Sequence, residues 1–246
     1  MTELVVILCV FAFISGLMKV GFGFGAGIVL NPILTLFMPS AKSVGLLAPI
    51  LWFSNVNGVR SHWKSINKKL FYQMLPLAVI GTLIGSLILT VVPDDIIRRG
   101  IGVLSIICGF SLWNASRKSD KKVQKRTIHP VITKLIRQVS AFLSGLIGAA
   151  ANSGGIPLSV LFSQEKMSKQ AFTANIIVLL AIMDTLKIIF YIGFDVIAFQ
   201  DLLLAFIYIP LIILGGYVGK WLNHLLAERV FFHVIHGLIF FMGYIY

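Results

Sequence analysis

The chain has 246 residues, 58% of them hydrophobic and 12% charged, against about 25% charged in a soluble domain. Its net charge of +12 does not indicate nucleic acid, because twelve of the 21 Lys and Arg residues fall in two segments, 60–69 and 115–137. Basic clusters between apolar runs read as cytoplasmic loops, while Cys9 and Cys108, each inside an apolar run, supply neither a disulfide framework nor a metal site.

The first apolar stretch, 4–37, is broken near Lys19 to Gly25 by a run of alternating glycines, Gly21, Gly23, Gly25 and Gly27. It has no basic n-region, since Glu3 is the only charge ahead of it, and is not expected to be a signal peptide. The glycines lack the strand, helix pattern and acid of a dinucleotide loop. Two readings stand: close helix packing through small residues, or a break whose following half-helix points free N–H groups at an anion. Lys19, at the bend, is either an anion ligand or a snorkelling residue.

Apolar helices are expected at 43–60, 70–92 and 96–115; residues 70–92 and 100–116 carry no charge, close to the roughly 20 residues a span needs. The basic linker follows. Next comes a second broken stretch, 140–163, with Asn152-Ser153-Gly154-Gly155-Ile156-Pro157 at its middle. Two polar side chains, two glycines and a proline suited to a first helical turn make this a candidate solute-lining break. Three helices are expected beyond it, at 170–193, 202–222 and 229–246. Within the first, Asp184 and Lys187 lie three residues apart on one face. Intramembrane charges are candidates for function, with a self-neutralising pair or an outward-snorkelling Lys187 as the alternatives. Asn31, Asn55, Asn57 and Asn175 read as interhelical glue or ligands. His233 and His236 share a face, but two histidines without a third ligand are a weak metal signal, and packing or an interfacial position is the expected role. No hydrolytic motif is present, and no catalytic residue, cofactor or metal is expected.

The two halves are related. Pro76, Gly81 and Gly85 recur as Pro210, Gly215 and Gly219 at one offset, and Ser15-Gly16-Leu17 recurs as Ser144-Gly145-Leu146. Their loops differ in sign. Segment 60–69 holds Arg60, Lys64, Lys68 and Lys69, whereas 194–201 holds Asp195, Asp201 and no Lys or Arg. The positive-inside rule puts the first inside and the second outside, so the halves are inverted and both termini lie outside. Arg98 and Arg99, on the outer side, are offset by Asp94 and Asp95 four residues earlier. Residues 138–164 are 27 uncharged residues, about 40 Å as one helix, too short for two spans of about 30 Å. Each broken stretch is therefore expected to be a re-entrant hairpin, an arrangement tolerated only inside protein or beside water. The fold class is all-α and polytopic, with two inverted repeats, each a Gly-broken hairpin plus three transmembrane helices. The first repeat is 1–116, the linker 117–134 and the second repeat 135–246. Substrate sites at repeat interfaces recur in such transporters.

At the Ser15-Gly16 to Gly27 cluster with Asn31-Pro32, the repeated Pro…Gly-x-x-x-Gly helices and Gly154-Gly155-Ile156-Pro157, the chain resembles the sulfite exporter TauE/SafE family over almost its whole length. Many members carry two prolines after the second glycine pair, where Ile156 takes the first place here, and a run of glycines that Phe24 and Ala26 interrupt. The resemblance implies transport of a small anion, often a sulfur oxyanion or organosulfonate, across a bacterial inner membrane. The expected function is secondary transport by alternating access. Gly23, Gly25, Gly27, Asn31, Asn152, Ser153, Gly154, Gly155 and Lys187 are the expected substrate-binding residues, and Asp184 the expected coupling residue. The expected partners are a small anionic solute and the lipid bilayer, with a homodimer left open. The alternatives are a channel or permease for a cation or neutral solute, and a non-transporting scaffold.

Overall fold

The structure, a computed structural model, describes residues 2–35, 37–93, 95–97, 99–100, 103, 130–165 and 167–225. Most of the expected helix 96–115, the linker up to residue 129, and the helix 229–246 with His233 and His236 lie outside these residues. The described residues form helices and hold no strand.

Helix α1 (Thr2–Phe22) breaks at Gly23–Gly25 and continues as the short α2 (Ala26–Thr35). Gly23 and Gly25 have φ of 88° and 101°, values open to glycine and costly for other residues. Helices α3 (Ser40–His62) and α4 (Lys68–Val91) follow, the latter capped by Asn67, whose side chain accepts from the Leu70 N–H at 3.2 Å. The second half repeats this order. Helix α5 (Pro130–Ala151) breaks at Asn152 to Gly154 and continues as the short α6 (Gly155–Gln164). Helix α7 (Lys169–Gly193) is capped by Ser168. A short α8 (Phe199–Leu204), a 3₁₀ turn over Ala205–Tyr208 and α9 (Ile209–Leu225) complete it.

Among the described residues, five helical stretches are long and apolar enough to cross a membrane: Val5–Phe22, Lys68–Val91, Val131–Ala151, Lys169–Gly193 and Phe199–Leu225. At 23 residues α3 has the length, but its serines and asparagines lower its hydropathy. They face inward: Ser43, Ser54 and Asn55 are fully buried, because α3 packs among α1, α7 and α9. Two boundaries differ from the sequence reading. Helix α5 begins at Pro130, inside the expected linker, with proline at the first helical position, where its missing N–H costs nothing. The expected helix 202–222 is divided, and the chain tightens into the 3₁₀ turn just before Pro210, which cannot donate to that turn.

Each hairpin has a long arm and a short one. The 22 residues of α5 span about 33 Å and the 10 residues of α6 about 15 Å. Arg137, in the second turn of α5, donates to Glu165, just past the end of α6, at 2.7 Å. That ion pair ties the N-terminal part of α5 to the residue just past α6.

The halves pack on each other reciprocally. Helix α1 lies against α9, and α5 against α4. A Cβ added at Gly215 would run into the Phe13 carbonyl oxygen and one at Gly219 into that of Leu17; in the other pair, Gly81 meets Phe142 and Gly85 meets Leu146. Gly16 faces the Ile212 carbonyl as Gly145 faces that of Ala78. Small residues let helix backbones approach this closely. The two breaks also meet: Gly27 lies against the Asn152 carbonyl, and Gly155 against the Phe24 side chain.

Because both interhelical seams rest on backbone contact, Gly81→Val and Gly215→Val should each destabilise the protein by about 1–3 kcal/mol or more through overpacking. Gly193, which has nothing within 4 Å of an added Cβ, should accept alanine with little change. Melting curves of the three variants in detergent check this. Equal melting temperatures would contradict it.

Candidate functional site

The junction of the two breaks holds most of the buried charge described. On α7, Asp184 and Lys187 share the face turned inward and are 6% and 1% exposed. Lys187 donates to Asp184 Oδ1 at 2.6 Å and to Asn152 Oδ1 at 2.8 Å. The second carboxylate oxygen of Asp184 accepts from Asn55 Nδ2 at 2.5 Å. Asn55 and Asp184 occupy equivalent positions on α3 and α7, counted from the helix starts at Ser40 and Lys169. The repeats thus touch through a matched amide and carboxylate.

Asn152 is the hub of the second break. Its φ of 56° is a left-handed conformation that asparagine tolerates better than most residues. Its amide nitrogen donates to the Val44 carbonyl at 3.1 Å, while its oxygen holds Lys187. The break is therefore tied to both α3 and α7. Ser144 Oγ bonds the Gly154 carbonyl, and Tyr191 OH bonds that of Ala149, which satisfies backbone at the end of α5 and beyond it.

Lys19, in the last turn of α1, is 4% exposed and lines the same small cavity as Thr82, Ser144, Asn152, Asp184 and Lys187. Snorkelling is thereby excluded for both lysines. The Lys19 carbonyl accepts from the Gly23 N–H at 2.9 Å; among the described residues its ammonium makes no hydrogen bond or salt bridge, and it lies in the field of Asp184, which attracts it, and of Lys187, which repels it. The cluster carries two ammonium groups and one carboxylate, an excess of positive charge in a region of low dielectric. Lys187 spends two of its three N–H donors on protein. The cavity measures about 10 Å³, room for roughly one water.

Of the expected substrate-binding residues, Asn152, Gly154 and Lys187 line this cavity together with Asp184. Gly27 and Gly155 serve the contact between the breaks, and Gly23 lies against Thr173. Gly25 supplies a positive φ. Asn31 is spent on packing, donating to the Ala151 carbonyl at 3.3 Å and accepting from Ser43 at 3.1 Å. Ser153 Oγ turns back to the Ala151 carbonyl at 3.0 Å. Asn175 bonds Ala171 within its own helix and accepts from the Asn67 N–H. Thr82 and Ser144 were not singled out in the sequence. Their one visible signal is adjacency to the paired glycines Gly81 and Gly145.

The broken-helix junction, the glycine seams and five apolar spans are features of a multi-pass membrane protein. No curated protein and no solved structure matches the chain. The family model described as sulfite exporter TauE/SafE matches residues 8–246, nearly the whole chain, and the protein therefore belongs to the sulfite exporter TauE/SafE family of membrane transporters.

Proposed function

We propose that the protein is a secondary transporter of a small oxyanion, a sulfur oxyanion or organosulfonate, that binds between Lys19 and Lys187 and crosses by alternating access. The observation that carries this reading is Lys19, an ammonium on the cavity wall with no hydrogen bond or salt bridge among the described residues, beside a second ammonium with a donor to spare. An unpaired buried charge is costly, and an anion seated between the two amines would offset that cost. Thr82, Ser144 and Asn152 stand around the same space. A cation would meet two ammonium groups and a carboxylate already bonded on both oxygens, so the cation reading is disfavoured.

The cavity is too small for an oxyanion, so solute entry requires the two breaks to part. Their mutual contact through Gly27, Asn152, Phe24 and Gly155 is the seam that would open to one side and then the other. The Arg137–Glu165 pair supports a re-entrant reading: with both residues at the inner surface, the break at Asn152 lies about 22 Å deeper along α5. The reciprocal packing of α1 on α9 and α5 on α4 supports inverted repeats.

Asp184 is the coupling group of this proposal. Asn55 suits either protonation state. Its Nδ2–H donates to the carboxylate, and its own Oδ1 is buried without a partner, ready to accept from a carboxylic acid after an amide flip. Protonation would release the hold of Asp184 on Lys187 and strengthen the anion site, linking anion affinity to the proton gradient.

Lys19→Met should lose most sulfite binding yet keep or raise the melting temperature of the solute-free protein, because it removes an unpartnered charge. Lys187→Met should lose binding and also destabilise the protein by about 3–5 kcal/mol, since it strands Asp184. Asp184→Asn should bind sulfite with a weakened pH response. Affinities and melting curves in detergent check the set. Full recovery of binding in the Lys187→Met/Asp184→Asn double variant would reduce the pair to a structural role.

The topology is tested separately. In a background lacking Cys9 and Cys108, Lys69→Cys should react with impermeant maleimide only from the cytoplasmic side and Gln200→Cys only from outside. Labelling of both from one side would overturn the inverted arrangement.

A further inference from the structure

A second cavity lies apart from the central one, at the end of the bundle where α3 finishes and α9 approaches its C-terminus, its wall built from apolar surface and a ring of basic residues. It measures about 670 Å³ and is lined by Arg60, His62, Lys64, Lys220, Asn223 and His224 among others. This volume falls in the range of small-molecule sites, about 300–1,000 Å³. Among the described residues no carboxylate lines it. The basic residues come from two separate segments, 60–64 and 220–224, so the fold, not a run of sequence, gathers them. Trp63, 64% exposed, also belongs to the wall, as aromatic side chains do at the membrane–water boundary.

The floor is built from buried groups. Asn223 is 1% exposed; its side-chain Nδ2 donates to the Gly21 carbonyl at 2.5 Å, while its backbone carbonyl accepts from Lys169 Nζ at 2.6 Å. His62, 9% exposed, meets the Val20 carbonyl at 2.9 Å through Nε2. Both side chains thus grip the last turn of α1, the turn that carries Lys19 and runs into the first break.

We propose that this cavity is a second anion site, for a phosphate group carried by a small solute or by an anionic lipid headgroup. Arg60, Lys64 and Lys220 supply the charge-assisted donors that phosphate recognition needs. The size exceeds that of a bare oxyanion, so the phosphate is one carried by a larger molecule. Its position makes the bound phosphate a brace on the turn before Gly23: charge on the cavity wall acts on His62 and Asn223, and these hold Val20 and Gly21. The proposal stands on the cavity alone and does not require the central site to bind an anion.

The test uses the full chain, purified in neutral detergent and reconstituted in nanodiscs. Inorganic phosphate, against choline chloride at matched ionic strength, should raise the melting temperature of the wild type and of Lys187→Met alike. In Arg60→Gln/Lys220→Gln, whose two sites are exposed, the apparent phosphate affinity should fall by about tenfold or more, while sulfite binding at the central site persists. A lipid source gives a different pattern: nanodiscs containing phosphatidylglycerol stabilise the wild type relative to phosphatidylcholine alone, and the double variant loses that difference. Either pattern supports a phosphate site and names its source. Equal responses of wild type and double variant to both probes overturn it. Loss of the phosphate shift in Lys187→Met would place phosphate in the central cavity and overturn it as well.

Discussion

Backbone that leaves the helical ladder within a membrane must be satisfied by protein, because lipid offers no hydrogen bonds. The described residues contain two helix breaks, and each is covered by the other. Gly27 meets the carbonyl of Asn152, and Phe24 covers Gly155. Asn152 then fastens its own break to α3 through Val44 and to α7 through Lys187. The glycine seams of α1 with α9 and of α4 with α5 hold the long arms of the hairpins against the opposite half. The breaks can meet only because those seams bring backbone to backbone.

The charge cluster depends on that meeting. Asp184 is neutralised by Lys187 and steadied by Asn55, so the pair by itself has a sufficient structural explanation. Lys19 does not. It approaches from the other half, is buried, and adds a positive charge for which the described residues offer no hydrogen-bond or ion-pair partner. On the proposed function an anion would offset that charge, in keeping with a family described as sulfite exporters. The small cavity volume and the direct contact of the breaks make movement of the hairpins part of any such transport.

Much of this was legible in the sequence, for physical reasons. The second break was visible because Asn152, two glycines and Pro157 interrupt an apolar run, where polar backbone is expensive. Asp184 and Lys187 were visible because charges are rare in spans. The role of Lys19 was ambiguous: a lysine three residues from a helix end can snorkel, and only packing by the opposite half excludes it. Asn55 could not be matched to Asp184, since their contact joins residues 129 apart. Thr82 gives no signal of its own, because a threonine that bonds the carbonyl four residues back, as it does to Ala78, looks like any helical threonine in an apolar segment. Asn31 misled in the opposite direction; it sits beside the glycine cluster, yet its amide is consumed by Ala151 and Ser43.

Selenite replaces sulfite with a heavier atom of the same charge and shape, and its position can be read directly from anomalous scattering in crystals grown with it. The account predicts a selenium peak between the two breaks, about 4 Å from the Nζ atoms of both Lys19 and Lys187, the distance set by one hydrogen-bonded oxygen. Crystals saturated with selenite in which that position is empty, or in which selenium contacts neither lysine, would contradict it.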